Sequence, residues 1–191
     1  MREKLTPSQI EKLVAAARRG DEGSFKKIFE IFYEKILKYT LFRVEEREAE
    51  DLVSEVFLKV VEKLHSYKPD PKAGFNAWIF RIAHNTIIDF YRRKKDILGL
   101  GNDDDESENF FLQIEDESPR PDENTDHKLN TRRLYAILKK MPAGMREILE
   151  LKYLEGFSNA EISHVTGKSE GNIRVLQLRA LREIRKMWER E

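Results

Sequence analysis

Apolar residues recur every three or four positions along most of this chain, the spacing that places them on one face of an α-helix. The first helix is predicted to begin at Thr6-Pro7, where Gln9 completes a capping signal, and to end at Gly20-Asp21. A second begins near Glu22, a third runs from about Glu48 to Ser66, and a fourth from about Phe75 to Lys95. Strand signals are absent from the sequence, so the first 96 residues are predicted to form an all-helical bundle.

The last three of these helices carry apolar stripes that are expected to face the core. The stripe residues are Phe25, Ile28, Phe29, Phe32 and Ile36 in the second helix; Leu52, Val53, Val56, Phe57, Val60, Val61 and Leu64 in the third; and Ile79, Ala83, Thr86, Ile87 and Phe90 in the fourth.

Helical periodicity stops in residues 97–127, which combine acidic, Gly, Pro and other polar residues. This composition predicts a flexible linker. A short apolar island, Phe110, Phe111, Leu112 and Ile114, lies inside it and is too small to form a core. The fold is therefore predicted to be all-α, with a small helical domain over residues 1–96, an acidic linker over 97–127 and a second small helical domain over 128–191.

Helical periodicity resumes in the C-terminal domain with Leu134, Ile137, Leu138 and Met141. Pro142 then begins a new helix, which is predicted to end at Gly156. Ser158 and Glu161 then form a capping box that begins a short helix with Ile162 and Val165 inward. Gly167 suits the left-handed turn that ends this helix, and Ser169 is placed to cap the next one. Two short helices around such a hinge form a helix-turn-helix, a motif that reads duplex DNA.

The second helix of this motif has two distinct faces. Its expected buried stripe is Ile173, Leu176, Ala180, Leu181 and Ile184. At about 100° per residue, the opposite face carries Gly171, Asn172, Val175, Leu178, Arg179 and Arg182, with Arg174 on its flank. Arg and Asn read base edges, and apolar side chains contact the thymine methyl group. The alternative is an amphipathic hairpin with a solvated basic face, but exposed Val175 and Leu178 argue against it.

Positive and negative residues are concentrated in different segments of the chain, although its formal net charge is zero. Residues 97–127 carry eleven acidic side chains and one basic, whereas residues 128–191 carry 14 basic and eight acidic. Such asymmetry indicates a nucleic-acid partner and an acidic spacer.

The chain has no cysteine, which excludes disulfides and thiolate metal sites. It has neither a signal-peptide core nor a membrane-spanning apolar run, so a cytoplasmic location without membrane insertion is expected.

The fourth helix carries a second polar face, made by Trp78, Arg81, Asn85, Asp89 and Arg92. An aromatic side chain beside Arg and Asn suits an unstacked base, because stacking tolerates any base and the amide adds discrimination. Trp78 is equally compatible with an ordinary core position. The face continues into four consecutive cations, Arg92, Arg93, Lys94 and Lys95, which favour phosphate contact over a merely solvated helix end.

The outward face of the third helix shows Asp51, Glu55, Leu58 and Glu62. Carboxylates at this spacing are compatible with a metal-dependent nuclease, with a solvated helix face, or with a protein-docking patch. Leu58 among the acids favours docking over a nuclease.

Two segments resemble a known family. Residues 49–95, AEDLVSEVFLKVVEKLHSYKPDPKAGFNAWIFRIAHNTIIDFYRRKK, resemble region 2 of bacterial RNA polymerase sigma factors of the sigma-70 family. Residues 141–186, MPAGMREILELKYLEGFSNAEISHVTGKSEGNIRVLQLRALREIRK, resemble region 4. Nothing between them resembles the intervening domain of the housekeeping type, so the chain is similar to the two-domain, extracytoplasmic-function group.

The resemblance implies a role for each surface. Region 2 of the family docks on the clamp helices of the polymerase largest subunit, and Asp51, Ser54, Glu55 and Leu58 fall at those positions. It also captures the non-template strand of the minus-ten element, for which the matching positions are Tyr67, Trp78, Arg81 and Asn85. Region 4 reads the minus-thirty-five duplex, and the matching residues here are Lys168, Ser169, Glu170, Asn172, Arg174, Val175, Leu178 and Arg179. His84 is assigned no role.

On this interpretation the protein is not an enzyme and needs neither a cofactor nor a metal. It directs core RNA polymerase to promoter DNA and assists melting, and an anti-sigma factor is a possible further partner. The alternative is a stand-alone helix-turn-helix regulator whose N-terminal bundle senses a signal or dimerises. A symmetric footprint without polymerase favours the regulator, whereas co-purification with core polymerase favours the sigma factor.

The acidic linker yields a first testable prediction, because it lies between two segments of net positive charge. Its carboxylates are expected to cover the basic surfaces and suppress DNA binding in the absence of polymerase; the alternative is an inert spacer. Replacing Asp103, Asp104, Asp105, Glu106 and Glu108 with Asn and Gln should then tighten DNA binding by the free protein in a salt-sensitive manner. An affinity equal to wild type across a salt series would leave only the spacer.

Overall fold

The computed structural model describes residues 5–97, 133–134 and 136–190. This part of the chain is helical and contains no strand, in agreement with the predicted all-α fold. Among the described residues, the helices with defined bounds are α1 Pro7–Ala17, α2 Glu22–Leu41, α3 Glu46–Leu64, α4 Gly74–Ile97, α5 Ala143–Leu149, α6 Asn159–Thr166 and α7 Glu170–Arg190. A π-helical turn, Glu150–Leu154, continues α5 directly. The predicted linker begins one residue early, because Ile97 is the last residue of α4; its acids and its apolar island lie outside the described residues.

Side-chain caps fix where the first helices begin. The predicted Thr6 capping box is confirmed, with the Thr6 amide donating to Gln9 Oε1 at 2.7 Å and the Gln9 amide donating to Thr6 Oγ1 at 3.3 Å. α1 ends at Ala17, before the Gly20-Asp21 end that was predicted for it. Asp21 instead caps α2 by accepting from the Ser24 amide at 3.2 Å. One short polar segment therefore ends α1 and begins α2, which sets these two helices side by side.

The N-terminal core forms where α2, α3 and α4 meet. Its fully buried residues include Phe32, Ile36, Val53, Val56, Val60, Ile79, Ala83 and Ile87, all from the predicted stripes. Phe32 meets Phe75 edge-on, with ring centroids 5.6 Å apart. Val61 was wrongly predicted to be buried and is 52% exposed. Successive helical residues are about 100° apart, so packing that encloses Val60 turns Val61 toward solvent.

The C-terminal helices follow their predicted signals. Ser158 and Glu161 form the expected capping box at the start of α6, with the Glu161 amide donating to Ser158 Oγ at 3.2 Å. Gly167 adopts the left-handed conformation, with φ of 73°, and ends α6. The Asn172 amide donates to Ser169 Oγ at 3.3 Å, which confirms Ser169 as the cap of α7. Ile173 and Ala180 are fully buried, but Leu181 is 43% exposed, which contradicts its predicted place in the buried stripe. The buried stripe on α7 is narrower than predicted, because α7 packs on the short helices α5 and α6, which cover only part of the circumference of α7.

The two helical domains pack against one another. α6 lies on α4, and Ile148, Leu151, Ile162 and Val165 belong to the same buried cluster as the N-terminal core. Phe157 closes the junction by meeting Phe80 edge-on, with centroids 5.2 Å apart. A smaller cluster, Leu138, Met141, Leu149 and Ala180, lies under α7. The arrangement places the helix-turn-helix beside α4.

The Gly167 turn gives a stability prediction. A Cβ at this position would meet nothing within 4 Å, so substitution costs only the left-handed backbone conformation. Gly167→Ala should lower the free energy of unfolding by about 1 kcal/mol, measured by urea denaturation. Gly167→Asn is the matched control and should cost less, since Asn tolerates this conformation. Equal losses for the two variants would indicate steric rather than conformational strain.

Candidate nucleic-acid interface

The outer face of α7 is open to solvent along the helix. Residues Glu170, Asn172, Arg174, Val175, Leu178, Arg179 and Arg182 are all exposed, as is Ser169 immediately before the helix, while Lys168 is half-buried. Val175 and Leu178, which are 44% and 58% exposed, lie three residues apart and place two neighbouring apolar side chains among these polar ones. Burial of Ile173 and Ala180 fixes the rotation of the helix that presents this face.

The residues of the polar face of α4 differ in their exposure to solvent. Arg81, Asn85 and Arg92 are exposed, whereas Trp78 is half-buried. The indole lies against Tyr67 and Phe75, with ring centroids 5.1 Å away in each case. Trp78 thus packs in the core and also lies at the edge of an exposed polar strip. Its position is compatible with both predicted roles, the core position and the stacking of a base.

Tyr67 is placed differently from what base capture requires. Its side chain is buried, and its hydroxyl donates to Glu11 Oε1 at 2.7 Å. The same carboxylate oxygen accepts from the Phe75 amide at 3.0 Å, so Glu11 holds both ends of the connection between α3 and α4. Burial, together with the hydrogen bond to Glu11, raises the pKa of Tyr67 above its usual range. The ring meets no base in this arrangement unless the connection moves.

The basic tetrad is only partly available for phosphate. Arg93 pairs with Glu55 at 3.0 Å, and Lys94 pairs with Glu48 at 3.2 Å and lies over the Phe90 ring. Arg92 is exposed and Lys95 is half-buried. Two of the four cations therefore tie the end of α4 to α3.

The outward face of α3 holds the predicted docking patch. Asp51 and Ser54 are exposed, and Leu58 is 60% exposed. Glu55 is less available, because Lys59 and Arg93 lie 2.9 Å and 3.0 Å from its two oxygens. Partial burial opposes ionisation of Glu55, but these hydrogen bonds outweigh it and lower its pKa. Leu58 is thus more available to a partner than Glu55.

A buried cluster of polar and charged side chains joins the two domains, and no pattern in the sequence predicted it. Arg43 Nη2 lies 2.7 Å from Glu150 Oε2 and 3.6 Å from Glu147 Oε1. His84 Nδ1 lies 2.9 Å from the same Glu147 oxygen, to which the Tyr39 hydroxyl also donates. Arg43, Tyr39 and His84 come from the N-terminal domain, and both carboxylates come from the C-terminal domain.

The electrostatics of this cluster favour an ionised Glu147. Burial alone would raise its pKa, but His84, Arg43 and the Tyr39 hydroxyl together hold it well below its usual range. Arg43 is anchored within its own domain, since its Nη1 donates to the Tyr39 carbonyl oxygen at 2.6 Å and its guanidinium carbon lies 3.6 Å from the Tyr39 ring centroid. Contacts within its own domain therefore help to orient Arg43 toward the carboxylates.

A cleft of about 270 Å³ lies beside this cluster. Its lining brings Arg43, His84 and Glu147 together with Lys168 and Asn172, at the start of the predicted recognition helix. Nearby, burial and the charge of Arg81 lower the pKa of His164 on α6. The cleft thus brings the start of α7 next to α4, the helix that carries the other predicted nucleic-acid surface.

None of the described helices is both long and apolar enough to span a membrane.

Two segments of the chain match the models of known families. Residues 32–97 match the model of Sigma-70 region 2, and residues 131–184 match that of Sigma-70, region 4. The RNA polymerase sigma factor SigZ of Bacillus subtilis is 31% identical over 153 residues, which are 76% of each chain. The ECF RNA polymerase sigma factor SigX of the same species is 25% identical over 88% of this chain and 85% of its own. The chain spans 66% of the length of a third relative, the ECF RNA polymerase sigma factor BldN of Streptomyces coelicolor, at 25% identity over 94% of this chain.

Two solved structures share the fold. The sigma factor RpoE of Bartonella quintana, solved with the anti-sigma factor NepR, superposes with a TM-score of 0.67 at 20% identity, over 86% of this chain and 96% of RpoE. CnrH, solved with the cytosolic domain of CnrY, gives a TM-score of 0.64 at 22% identity, over 94% of this chain and 96% of CnrH.

Proposed function

Since the chain belongs to the sigma-70 family of RNA polymerase sigma factors and is a promoter-directing transcription initiation factor, we propose that it recognises promoters through two chemically different DNA surfaces. Residues 128–191 read the minus-thirty-five duplex, and residues 1–96 capture the minus-ten strand and dock on core polymerase. The observation that carries the proposal is the pair of exposed faces, one on α7 and one on α4, that present Arg and Asn beside apolar or aromatic groups.

The face of α7 suits duplex DNA. A recognition helix in the major groove needs long donors for base edges, together with apolar contacts for thymine methyl groups. Arg174, Arg179 and Arg182 supply the donors, and exposed Val175 and Leu178 supply the apolar contacts. Lys168, Ser169, Glu170 and Asn172 lie where the helix begins, which is the part of a recognition helix that enters the groove first.

The face of α4 suits a base that has left the stack. Unstacking costs a few kcal/mol, and a stacking platform next to hydrogen-bonding groups offsets that cost. Trp78 offers the edge of a platform, with exposed Arg81 and Asn85 one and two turns along the helix. We infer that Tyr67 joins this site only after the contact with Glu11 is released. The cations Arg92, Arg93, Lys94 and Lys95 extend the face toward the phosphate backbone.

Docking on polymerase is assigned to Asp51, Ser54, Glu55 and Leu58 on α3. An exposed leucine surrounded by carboxylates suits a partner surface that is apolar at its centre and basic at its rim. An anti-sigma factor is a further candidate partner, by analogy with the RpoE complex. Catalysis remains with the polymerase, since the chain belongs to a family of initiation factors.

The docking assignment is tested through Leu58. Leu58→Ala should weaken binding to core polymerase by roughly tenfold, while leaving the free energy of unfolding within about 0.5 kcal/mol of wild type, because the side chain is already exposed. Affinity is measured by fluorescence titration with core enzyme, and stability by urea denaturation. Val61→Ala, at a similarly exposed position on the same helix, is the matched control. Glu55 is left intact because its removal would disturb Lys59 and Arg93. Unchanged polymerase binding by Leu58→Ala would remove Leu58 from the interface.

The division of labour between the two DNA surfaces gives a separate prediction. Arg179→Ala should weaken closed-complex formation on duplex promoter by roughly 1 to 3 kcal/mol through loss of a base contact. Asn85→Ala should instead slow promoter opening, and a premelted bubble should reveal its defect in strand binding. Run-off transcription and strand-opening kinetics with core polymerase measure both effects.

Lys186→Ala is the control for Arg179→Ala, since Lys186 is an exposed cation farther along α7. If Asn85→Ala and Arg179→Ala were equally defective on duplex alone, the division would be wrong.

A further inference from the structure

The first helix, α1, lies outside the segment to which the family match assigns a role, since the match to region 2 begins at residue 32. α1 nevertheless contacts the surface proposed to capture the minus-ten strand. Its Glu11 is half-buried, and one carboxylate oxygen, Oε1, accepts from the Tyr67 hydroxyl at 2.7 Å and from the Phe75 amide at 3.0 Å. A single side chain of α1 therefore binds both ends of the connection that leads into α4.

We propose that Glu11 is a positioning residue for strand capture: it holds the first turn of α4 so that the Trp78 ring is presented beside the exposed polar groups of that face. The inference rests on the proposed function, because the position of Trp78 matters to activity only if this face binds the minus-ten strand. Glu11 acts through Phe75 and does not need to touch DNA. α1 is then a part of the strand-capture site.

The contacts of Trp78 explain how Glu11 acts on it. The indole packs against the rings of Tyr67 and Phe75, with centroids 5.1 Å away in each case. These are the same two residues that donate hydrogen bonds to Glu11. Phe75 also lies three positions before Trp78 in α4, so the two side chains are neighbours on the helix surface. A shift of the Phe75 backbone therefore moves the indole.

Glu11 also supplies an acceptor and a charge that the start of α4 lacks. The first amides of a helix have no partner within the helix, and a negative charge near them is stabilising. The first turn of α4 contains no acidic residue, and Phe75 is the second residue of this helix. The Glu11 carboxylate thus satisfies the Phe75 amide from a different helix. Because Phe75 is buried, loss of this acceptor leaves the amide without its partner and loosens the turn that leads to Trp78.

The two hydrogen bonds to Glu11 differ in how readily they break. The Phe75 donor is a backbone amide, whose direction is fixed by the helix. The Tyr67 donor is a side-chain hydroxyl, which leaves when the side chain changes rotamer or the connection moves. Glu11 can therefore release Tyr67 toward a base, as the proposed function requires, and still hold the start of α4.

A second contact from α1 offers a matched control. Arg18 Nη2 donates to the carbonyl oxygen of His65, immediately after α3, at 3.2 Å. This exposed bond also attaches α1 to the connection, but it involves neither Trp78 nor the two rings that pack against it. Removing the Arg18 side chain therefore tests the attachment of α1 in general, whereas removing the Glu11 acceptor tests the position of Trp78.

The first experiment measures strand capture by the full-length protein assembled with core polymerase. The probe is a premelted bubble carrying the minus-ten sequence that the wild-type holoenzyme selects from a randomised pool. Glu11→Ala should weaken binding to this bubble by roughly tenfold, the size expected when the stacking of about one base is impaired. Glu11→Gln should restore binding to within about twofold of wild type, since Gln offers a carbonyl oxygen as acceptor. Arg18→Ala should bind the bubble as wild type does.

Three outcomes of this experiment would overturn the inference: a folded Glu11→Ala that binds as tightly as wild type, a Glu11→Gln as weak as Glu11→Ala, or an Arg18→Ala as weak as Glu11→Ala. A wild-type holoenzyme that binds the bubble no better than core polymerase alone would instead count against the proposed function, so the two failures are distinguishable. Circular dichroism checks helix content. If Glu11→Ala loses it, Glu11→Asp replaces that variant; its carboxylate is one methylene shorter, so it should bind the bubble less tightly than Glu11→Gln.

The second experiment reads the position of Trp78 directly in the free full-length protein. The chain has two tryptophans, so a Trp188→Phe background leaves Trp78 as the only indole. Glu11→Ala should shift its fluorescence emission to longer wavelength and increase its quenching by acrylamide, because the ring becomes more exposed. Glu11→Gln and Arg18→Ala should leave both quantities unchanged. An unchanged Trp78 signal in Glu11→Ala would contradict the inference even if strand binding fell, because the loss would not then act through the indole.

Discussion

The burial of α4 is the constraint on which the rest of the molecule depends. This helix packs against α1, α2, α3 and α6, so most of its circumference must be apolar or small. Ala77 and Ala83 are fully buried and allow its neighbours to approach closely. Only a narrow strip is left for polar groups, and it carries Arg81 and Asn85. The surface proposed to capture a base is therefore the part of α4 that its neighbouring helices do not cover.

Charged residues play two roles that sequence alone does not separate. Some face solvent and are free to meet DNA, as Arg179 does. Others hold the fold: Arg93 and Lys94 join the end of α4 to Glu55 and Glu48 on α3. The Arg93–Glu55 pair links the basic tetrad directly to the predicted docking patch. A substitution at Glu55 consequently alters both the patch and the cations beside it.

The contact between the domains combines two kinds of interaction with opposite consequences. Apolar packing, as between Phe80 and Phe157, favours closure without demanding one orientation. The cluster around Arg43 demands one orientation but returns little net energy, because its charges are withdrawn from water. Together they give the two domains one defined arrangement in this structure.

Local signals in the sequence determined the helices, the turns and the exposed face of α7. Capping boxes at Thr6 and Ser158 and the left-handed turn at Gly167 depend on neighbouring residues only, so they were predictable. The family resemblance supplied the candidate DNA and polymerase surfaces, whose roles stay predictions. Tertiary structure alone decided that Tyr67 is buried against Glu11. It also brought Arg43 to Glu147 and Glu150, more than a hundred positions away. No periodicity encodes such a contact, because it forms only when separate helices pack and burial forces each charge to find a partner.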